Sequence, residues 1–325
     1  MKNYTFSGIL KSEMHEFVEL RSSQGLRDYT KLYILESLDK YLTKLSVSEK
    51  ALTPSVVDGW LAEQGPKMHI NTINNFVNYY APFARYLNIA GIPAFMPERP
   101  IYQHTYTPHI FTASEIKEIF RIADKMQGRI NGSISRLQFP MLLRLLYGCG
   151  LRLGEALRIR LTDFDAENGV LRIINAKGNA DRLVPLENDF AKMLKMYCDA
   201  LFNDRSENPF LFESENGAAR SQGWVQWYWD KVLAKTGIEI PQLPPNSRNI
   251  CLHCFRHTFA VNSLRMNVTE DIDGADITPL LSVYLGHKHL RGTQVYLHMT
   301  AENAEDIFNI TSVSSKEIFP EVPRI

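Results

Sequence analysis

Apolar residues recur every three or four positions through most of residues 7–92. The stretches "YTKLYILESLDKYLTKL" and "TINNFVNYYAPFARYLNIAG" both follow this spacing, which places apolar side chains on one face of an α-helix. Thr53 and Pro54 supply an N-cap followed by proline at the first helical position, and Gly91 with Pro93 ends the last helix. The pattern predicts a small helical bundle.

A proline-rich stretch separates this bundle from the rest of the chain. Residues 93–111, "PAFMPERPIYQHTYTPHIF", contain four prolines, and such spacing favours an extended connector. Thr112 and Glu115 then form a capping box that starts a new helix. Because 325 residues exceed one average domain, we predict two domains, residues 1–108 and 109–325, joined by this linker.

The second domain is predicted to combine helices with one short sheet. β-Branched residues flank a Gly-Asn turn in "GVLRIINAKGNADRLVPL", residues 169–186, which predicts an antiparallel hairpin with Lys177 near its tip. Helices resume in four segments, around residues 188–202, 221–236, 255–266 and 278–285. The predicted fold class is therefore mainly α with a small antiparallel β-sheet.

The apolar and cysteine content limits the possible classes of protein. The richest apolar run, residues 141–147, is interrupted by Arg144 and is far too short to cross a bilayer. No apolar signal core follows Met1, and four scattered cysteines are too few for a disulfide framework in a chain of this length. We therefore expect a cytoplasmic protein with free thiols and no membrane partner.

The net charge does not by itself favour nucleic-acid binding. Lys+Arg total 36 and Asp+Glu total 36, whereas nucleic-acid-binding proteins usually carry a basic excess that displaces counterions. Local fields steer ligands more than net charge does. A basic surface on this chain must therefore arise from the segregation of charges in the folded protein.

The first candidate segment is "YGCGLRLGEALRIRLTDFD". Gly148 and Gly150 break a very apolar helix immediately before Arg152, and the next helix carries Glu155. Backbone geometry would hold an arginine at such a junction. An isolated Gly-x-Arg-x-x-Glu equally fits a surface arginine paired with a carboxylate three residues on, so this segment alone leaves both interpretations open.

The second segment, "CLHCFRHTFA", places His253, Arg256 and His257 within five positions. Cys251 and Cys254 beside them suggest zinc, but a structural zinc site needs four ligands, usually from two separated segments, and the sequence has no second Cys/His pair. On a helix, His253 and Arg256 would share a face, where the imidazole can move a proton while the guanidinium holds a phosphate. The alternative is a capping or buried histidine beside an unrelated arginine.

The third segment, "LGHKHLRGTQVYLHMT", contains His287 and, nine residues later, Tyr296. A phenol has a pKa of about 10, so a nucleophilic tyrosine needs a base or a cationic pocket. With 14 tyrosines in the chain, packing is the default role of any one of them. If folding collects the arginines, histidines and Lys177, they would suit a pentavalent phosphate. The sequence has no carboxylate cluster that would hold two magnesium ions, so we predict phosphoryl transfer without a metal or other cofactor.

Four blocks in chain order resemble the signature of the tyrosine recombinases, also called phage integrases. They are "GLRLGEAL", "AKGNADRLVPL", "LHCFRHTFA" and "LGHKHLRGTQVYLH", and they lie between residues 148 and 300. Residues 69–93, "HINTINNFVNYYAPFARYLNIAGIP", are similar to the end of the family's N-terminal core-binding domain. The resemblance covers nearly the whole chain and implies a helical core-binding domain followed by a catalytic domain.

The resemblance also implies a role for each matching basic residue around the DNA phosphate. Arg152 and Arg256 would clamp the scissile phosphate, and Lys177 would protonate the leaving 5′ oxygen. Glu155 would support the active-site arginine without touching the DNA.

The resemblance implies roles for four further positions. Tyr296 would attack the phosphate and leave a 3′-phosphotyrosyl link, and His253 would act in proton transfer with this nucleophile. His287 would hydrogen-bond the phosphate, and His257 would support the site.

The implied activity is site-specific DNA recombination. Strands are cleaved and rejoined without ATP, because the phosphotyrosyl link keeps the bond energy. The implied partners are double-stranded DNA with specific recombination sites and further copies of the chain in a tetrameric synapse, located on the bacterial nucleoid. The stretch between Arg256 and His287, with "NVTEDIDGADITPLLSV", is longer than in chromosome-dimer-resolving members. It resembles recombinases of transposons and other mobile elements, so integration or excision of such an element is expected.

The last residues, about 301–325, follow with a short amphipathic helix and an apolar, proline-containing tail. The resemblance implies an arm that docks on a neighbouring protomer, with Ile318 and Phe319 in the partner's groove. A frayed terminus is the alternative.

Three other functions fit parts of the sequence. A type IB topoisomerase would use a similar pocket to relax DNA without exchanging partners. A helical DNA-binding protein without catalysis would use the tyrosine and arginines as ordinary core and surface residues. A zinc protein is the third alternative.

Overall fold

The structure is a computed structural model. It describes residues 5–26, 31–65, 68, 70–98, 107–126, 134–174, 181–202, 208–242, 249–268, 274–287, 289–290, 292–294 and 296. Described residues up to 98 belong to one compact unit, and those from 107 onward belong to a second.

The first unit is the predicted helical bundle. Its described part contains α1 (Lys11–Ser23), α2 (Leu32–Lys44), α3 (Pro54–Gln64) and α4 (Ile70–Ile89). The Thr53 side chain accepts a hydrogen bond from the Val56 amide, and Pro54 occupies the first helical turn, so the predicted start of α3 is confirmed.

The core of the first unit is rich in aromatic side chains. Trp60 packs against Phe76 and Tyr80, with ring centroids 5.7 and 5.6 Å away. The Trp60 indole nitrogen donates to Ser37 Oγ at 2.8 Å, so a buried polar atom is satisfied within the core.

The second unit contains the longer series of helices. Its described helices are α5 (Ala113–Asp124), α6 (Ser135–Cys149), α7 (Leu153–Ala156), α8 (Asn188–Phe202), α9 (Gln222–Thr236), α10 (His253–Val268) and α11 (Gly274–Leu285). The capping box of Thr112 and Glu115 is present at the start of α5, as predicted. Residues 107–112 before it are neither helix nor strand.

A three-stranded antiparallel sheet interrupts these helices. β1 (Phe164–Asp165) pairs with β2 (Val170–Ile173), which pairs with β3 (Arg182–Pro185). The predicted hairpin is confirmed in these two longer strands. The sequence did not predict β1, because two residues are too few to show an alternating pattern. The turn and Lys177 lie outside the described residues.

α6 is central to the second unit because apolar residues surround it almost completely. Phe139, Leu142 and Leu146 are buried there, together with Trp229 and Phe255 from other helices. α10 packs against both α6 and α11, so the segments that carry the candidate site residues meet beside one core. No helix in the described part of the chain is long and apolar enough to cross a membrane.

Candidate active site

The turn between α6 and α7 positions Arg152. Gly150 ends α6 with a left-handed φ of 57°, and a Cβ there would lie 2.5 Å from the Phe259 ring, so only glycine fits this turn. Arg152 is the N-cap of α7, and its amide donates to Glu155 Oε2 at 3.1 Å. The predicted break before Arg152 is confirmed at Gly150, whereas Gly148 lies within α6 and does not break it.

Glu155 joins two arginines. Its Oε1 accepts from Arg152 Nη1 at 2.7 Å, and its Oε2 accepts from Arg182 Nη2 at 2.8 Å. Burial alone would raise the pKa of this carboxyl, but the hydrogen bonds from Arg182 and Arg152 outweigh burial and lower the pKa to about 2. Glu155 is therefore ionised at neutral pH.

Arg256 is almost completely buried, with 1% of its surface exposed. It donates to the Gly150 carbonyl and to the Leu285 carbonyl, each at 2.7 Å. Burial and then the charge of Arg152 lower the pKa of Arg256 to about 10, which still leaves the guanidinium charged at neutral pH. Arg256 thereby connects the end of α6 to the end of α11.

Three consecutive carbonyls at the end of α11 each accept from a different arginine. Arg182 Nε binds the Tyr284 carbonyl at 2.7 Å, and Arg152 Nη2 binds the Gly286 carbonyl at 3.0 Å. Arg256 binds the carbonyl of Leu285 between them. The last carbonyls of a helix lack helical partners and lie at the negative end of its dipole, so this end of α11 gathers the three guanidiniums.

His287 follows these carbonyls directly. Its Nδ1 lies 2.8 Å from Thr293 Oγ1. Burial, followed by the charges of Arg256 and Arg152, lowers the pKa of His287 to about 4. His287 is thus a neutral imidazole at physiological pH and acts as a hydrogen-bonding group that carries no charge.

Tyr296 lies beside His257 and His287. Its hydroxyl is 3.0 Å from His257 Nδ1, and its ring stacks on His287 with centroids 6.4 Å apart. Burial raises the pKa of the Tyr296 hydroxyl, and the charges of Arg256 and Arg152 oppose that rise. The phenol is therefore protonated at rest, and 4% of the residue is exposed.

His253 is the exposed first residue of α10. Its ring meets the His257 ring edge-on, with centroids 4.6 Å apart. The structure thus brings Arg152, Glu155, His253, Arg256, His257, His287 and Tyr296 together. Lys177 lies outside the described residues.

Arg182 is the neighbour that the sequence did not single out. It stands in the quoted block "AKGNADRLVPL", at the start of β3, where strand alternation gives no sign of a buried ion pair. With Arg152 and Arg256 it supplies three positive charges against the one negative charge of Glu155. A basic site therefore exists in a chain of zero net charge.

No group of three or more His, Cys, Asp or Glu side chains within the described ranges could hold a metal ion. Cys251 and Cys254 are not joined by a disulfide, and their sulfurs lie 4.0 Å apart.

The family model described as Phage integrase family matches residues 109–303, which is more than half of the chain. The chain belongs to the phage integrase family of tyrosine recombinases.

Individual relatives agree with this assignment. A probable integrase/recombinase of Methanocaldococcus jannaschii is 31% identical over 178 residues, which cover 54% of this chain and 50% of that protein. The chain therefore spans about half the length of this relative. Tyrosine recombinase XerC of Lacticaseibacillus casei is 25% identical over 299 residues, which cover 89% of this chain and 86% of XerC.

Solved structures share the fold of this family member. The Tn1549 transposon integrase in complex with transposon right-end DNA has a TM-score of 0.62 at 14% identity, covering 93% of this chain and 99% of that one. A lambda integrase dimer bound to a core site has a TM-score of 0.63 at 15% identity, and the match covers 88% of this chain and 94% of the lambda integrase chain. The mainly α fold with a small antiparallel sheet is thus the integrase fold.

Proposed function

We propose that this protein is a site-specific DNA recombinase that cleaves and rejoins DNA strands through a covalent link to Tyr296. The observation that carries the proposal is the position of the Tyr296 phenol, which contacts His257 and lies within the field of Arg152 and Arg256. A nucleophile, a proton acceptor and two phosphate-binding cations in one place are the components of phosphoryl transfer without a metal.

In the proposed reaction, the Tyr296 oxygen forms a bond to phosphorus while the bond from phosphorus to the 5′ oxygen breaks. The phenolic proton passes to a neutral imidazole, and His257 Nδ1 is the nitrogen in contact with it. His253, whose ring meets that of His257, extends this proton path. Lys177 donates the proton that the departing 5′ oxygen needs, and attack by a 5′ hydroxyl reverses every step.

Arg152, Arg256 and His287 stabilise the charge that develops on the nonbridging oxygens. The arginines supply two fixed positive charges, and neutral His287 adds a hydrogen bond. Because 4% of Tyr296 is exposed at rest, we expect DNA binding to open the site and expose the phenol. Glu155 holds Arg152 by two hydrogen bonds and stays away from the phosphate.

The partner in this function is double-stranded DNA, with residues 1–108 as core-binding domain and 109–325 as catalytic domain. A tetramer is the proposed active assembly on two DNA sites, supported by the lambda integrase tetramer that was solved on a Holliday junction. The tail at residues 301–325 would connect the protomers. The likeness to a transposon integrase supports integration or excision of a mobile element, and we propose that the protein acts on DNA in the cytoplasm.

Covalent capture tests this proposal. The protein is mixed with nicked duplexes of randomised sequence, in which the short strand beyond the cleavage point diffuses away and blocks rejoining. We expect a DNA adduct that survives denaturation with the wild type and none with Tyr296→Phe, while both retain DNA binding. Tyr284→Phe is the matched control, because this tyrosine packs against the apolar cluster that contains Tyr296.

Three outcomes would overturn the proposal. An adduct formed by Tyr296→Phe would move the nucleophile elsewhere, and a wild type that binds DNA without any adduct would make the protein a non-catalytic DNA binder. Relaxation of a plasmid of unrelated sequence without strand exchange would instead assign a topoisomerase activity.

A further inference from the structure

Arg182 contacts two parts of the site at once. Its Nε donates to the Tyr284 carbonyl at 2.7 Å, and its Nη2 donates to Glu155 Oε2 at 2.8 Å. The side chain is 8% exposed. One guanidinium on β3 is therefore bound to the end of α11 and to the carboxylate that holds Arg152.

The neighbouring turn is shaped for this guanidinium. Gly286 has a left-handed φ of 67°, and a Cβ at this position would lie 2.9 Å from Arg182 Nη1. Nη1 is buried and has no hydrogen-bond partner among the described residues. The close approach of Arg182 thus depends on a glycine immediately before His287.

We propose that Arg182 is a positioning residue for DNA cleavage, which holds Arg152 through Glu155 and holds the turn of Gly286 and His287 where the phosphate requires them. The inference rests on the proposed function. We do not assign Arg182 a contact with the phosphate, because Nη1, its one nitrogen without a hydrogen-bond partner among the described residues, is buried and packed against Gly286.

Lysine cannot take over this role completely. A planar guanidinium directs several donors in fixed directions, whereas an ammonium is a single point of charge on a flexible stem. Lysine at position 182 would keep the positive charge beside Glu155 but lose the simultaneous hold on Tyr284. Arg182→Lys therefore separates the effect of charge from the effect of geometry.

The first experiment measures adduct formation in a single turnover, together with DNA affinity. We expect Arg182→Lys and Arg182→Gln to slow adduct formation by roughly 10²-fold, the scale of a misplaced reacting group, with DNA affinity changed only a few-fold. Arg172→Lys, an exposed arginine on β2, is the control and should react at the wild-type rate. Wild-type rates in both Arg182 variants would overturn the proposal.

A substrate with a bridging 5′ sulfur distinguishes this role from an indirect effect on Lys177, which lies between β2 and β3 in the sequence. A thiolate leaves without being protonated, so this substrate restores a variant whose only defect is the missing proton from lysine. We expect it to restore Lys177→Ala and not Arg182→Gln. Full restoration of Arg182→Gln would contradict positioning of the arginines.

One measurement does not depend on DNA cleavage. The positive charge of Arg182 contributes to lowering the pKa of His287, after burial and the charges of Arg256, Arg152 and His253, so the NMR titration midpoint of His287 should rise in Arg182→Gln and less in Arg182→Lys. An unchanged titration midpoint in both variants would show that the charge of Arg182 does not act on His287. If the wild type forms no adduct, the proposed function is wrong. The titration of His287 still shows in that case whether Arg182 lies close enough to affect His287.

A glycine pair completes the test without changing Arg182. Gly286 and Gly237 share a φ of 67°, but a Cβ at Gly237 meets nothing within 4 Å. Backbone strain is therefore matched, and Gly286→Ala should slow adduct formation and shift the His287 titration while Gly237→Ala does neither. Equal effects of the two substitutions would show that strain alone, without displacement of Arg182, explains the loss.

Discussion

Replacing Glu155 with glutamine removes the carboxylate that Arg152 and Arg182 share. The pKa of Glu155 is about 2 in the folded protein against an ordinary 4.5, a difference that corresponds to about 3 kcal/mol at about 1.4 kcal/mol per unit. Loss of one partner from a buried ion pair typically costs about 3–5 kcal/mol. We therefore expect Glu155→Gln to destabilise the second unit by about 3 kcal/mol at pH 7.

Tryptophan fluorescence can follow the second unit alone. The chain has four tryptophans, and only Trp60 lies in the first unit, so a Trp60→Phe background leaves three reporters in α9. Urea unfolding of Glu155→Gln is then compared with Glu118→Gln, whose partner Arg121 is also three residues away but exposed. We expect the second substitution to leave the unfolding midpoint unchanged, because exposed ion pairs contribute little.

The pH dependence of the free energy of unfolding tests whether Glu155 forms this ion pair. Because the folded pKa of Glu155 lies below its unfolded value, the stabilisation is complete above pH 4.5 and is lost as pH falls toward 2. The difference in the free energy of unfolding between the parent and Glu155→Gln should narrow by about 1.4 kcal/mol near pH 3.5. A difference that is absent at pH 7, or that stays constant down to pH 3.5, would refute the shared ion pair.

Three further predictions concern the groups around the phosphate. Arg256→Lys keeps the charge but cannot bind both carbonyls, so adduct formation in a single turnover should fall by about 10²-fold or more; an unchanged rate would contradict the clamp. The NMR titration of His287 should have its midpoint near pH 4, so that its protonation destabilises the fold only as pH falls from 6.5 toward 4; a midpoint near 6.5 would disprove its burial among cations. His257→Ala should slow adduct formation by about 10²–10⁴-fold and more than His253→Ala, since His257 contacts the phenol; the reverse order would assign the proton transfer to His253.

Local patterns predicted the elements of this fold well. The Thr53 and Thr112 caps, the hairpin strands and α8 at residues 188–202 all have short-range signals in capping chemistry and periodicity. Predicted helix starts were less accurate for α10 and α11. Thr278 with Pro279 has the form of a helix start, yet α11 begins earlier, at Gly274.

The contacts that organise the candidate site could not be predicted from local pattern. Arg182 lies 27 positions from Glu155 and 102 from Tyr284, and Arg256 lies 29 positions from Leu285. Nothing in the spacing of a strand shows that its first residue will reach such acceptors. The sequence contained the blocks that carry the site, but the hydrogen bonds of Arg182 and the contact of His257 with Tyr296 depend on how helices and strands pack.

In the proposed reaction, one tyrosine of the 14 in the chain becomes joined to DNA. Mass spectrometry of the protease-digested adduct tests this claim most directly, because it identifies the peptide that carries a nucleotide on its phenolic oxygen. We expect a 3′-phosphate linkage on the peptide containing Tyr296. A nucleotide on any other tyrosine, or a linkage through a 5′-phosphate, would contradict it.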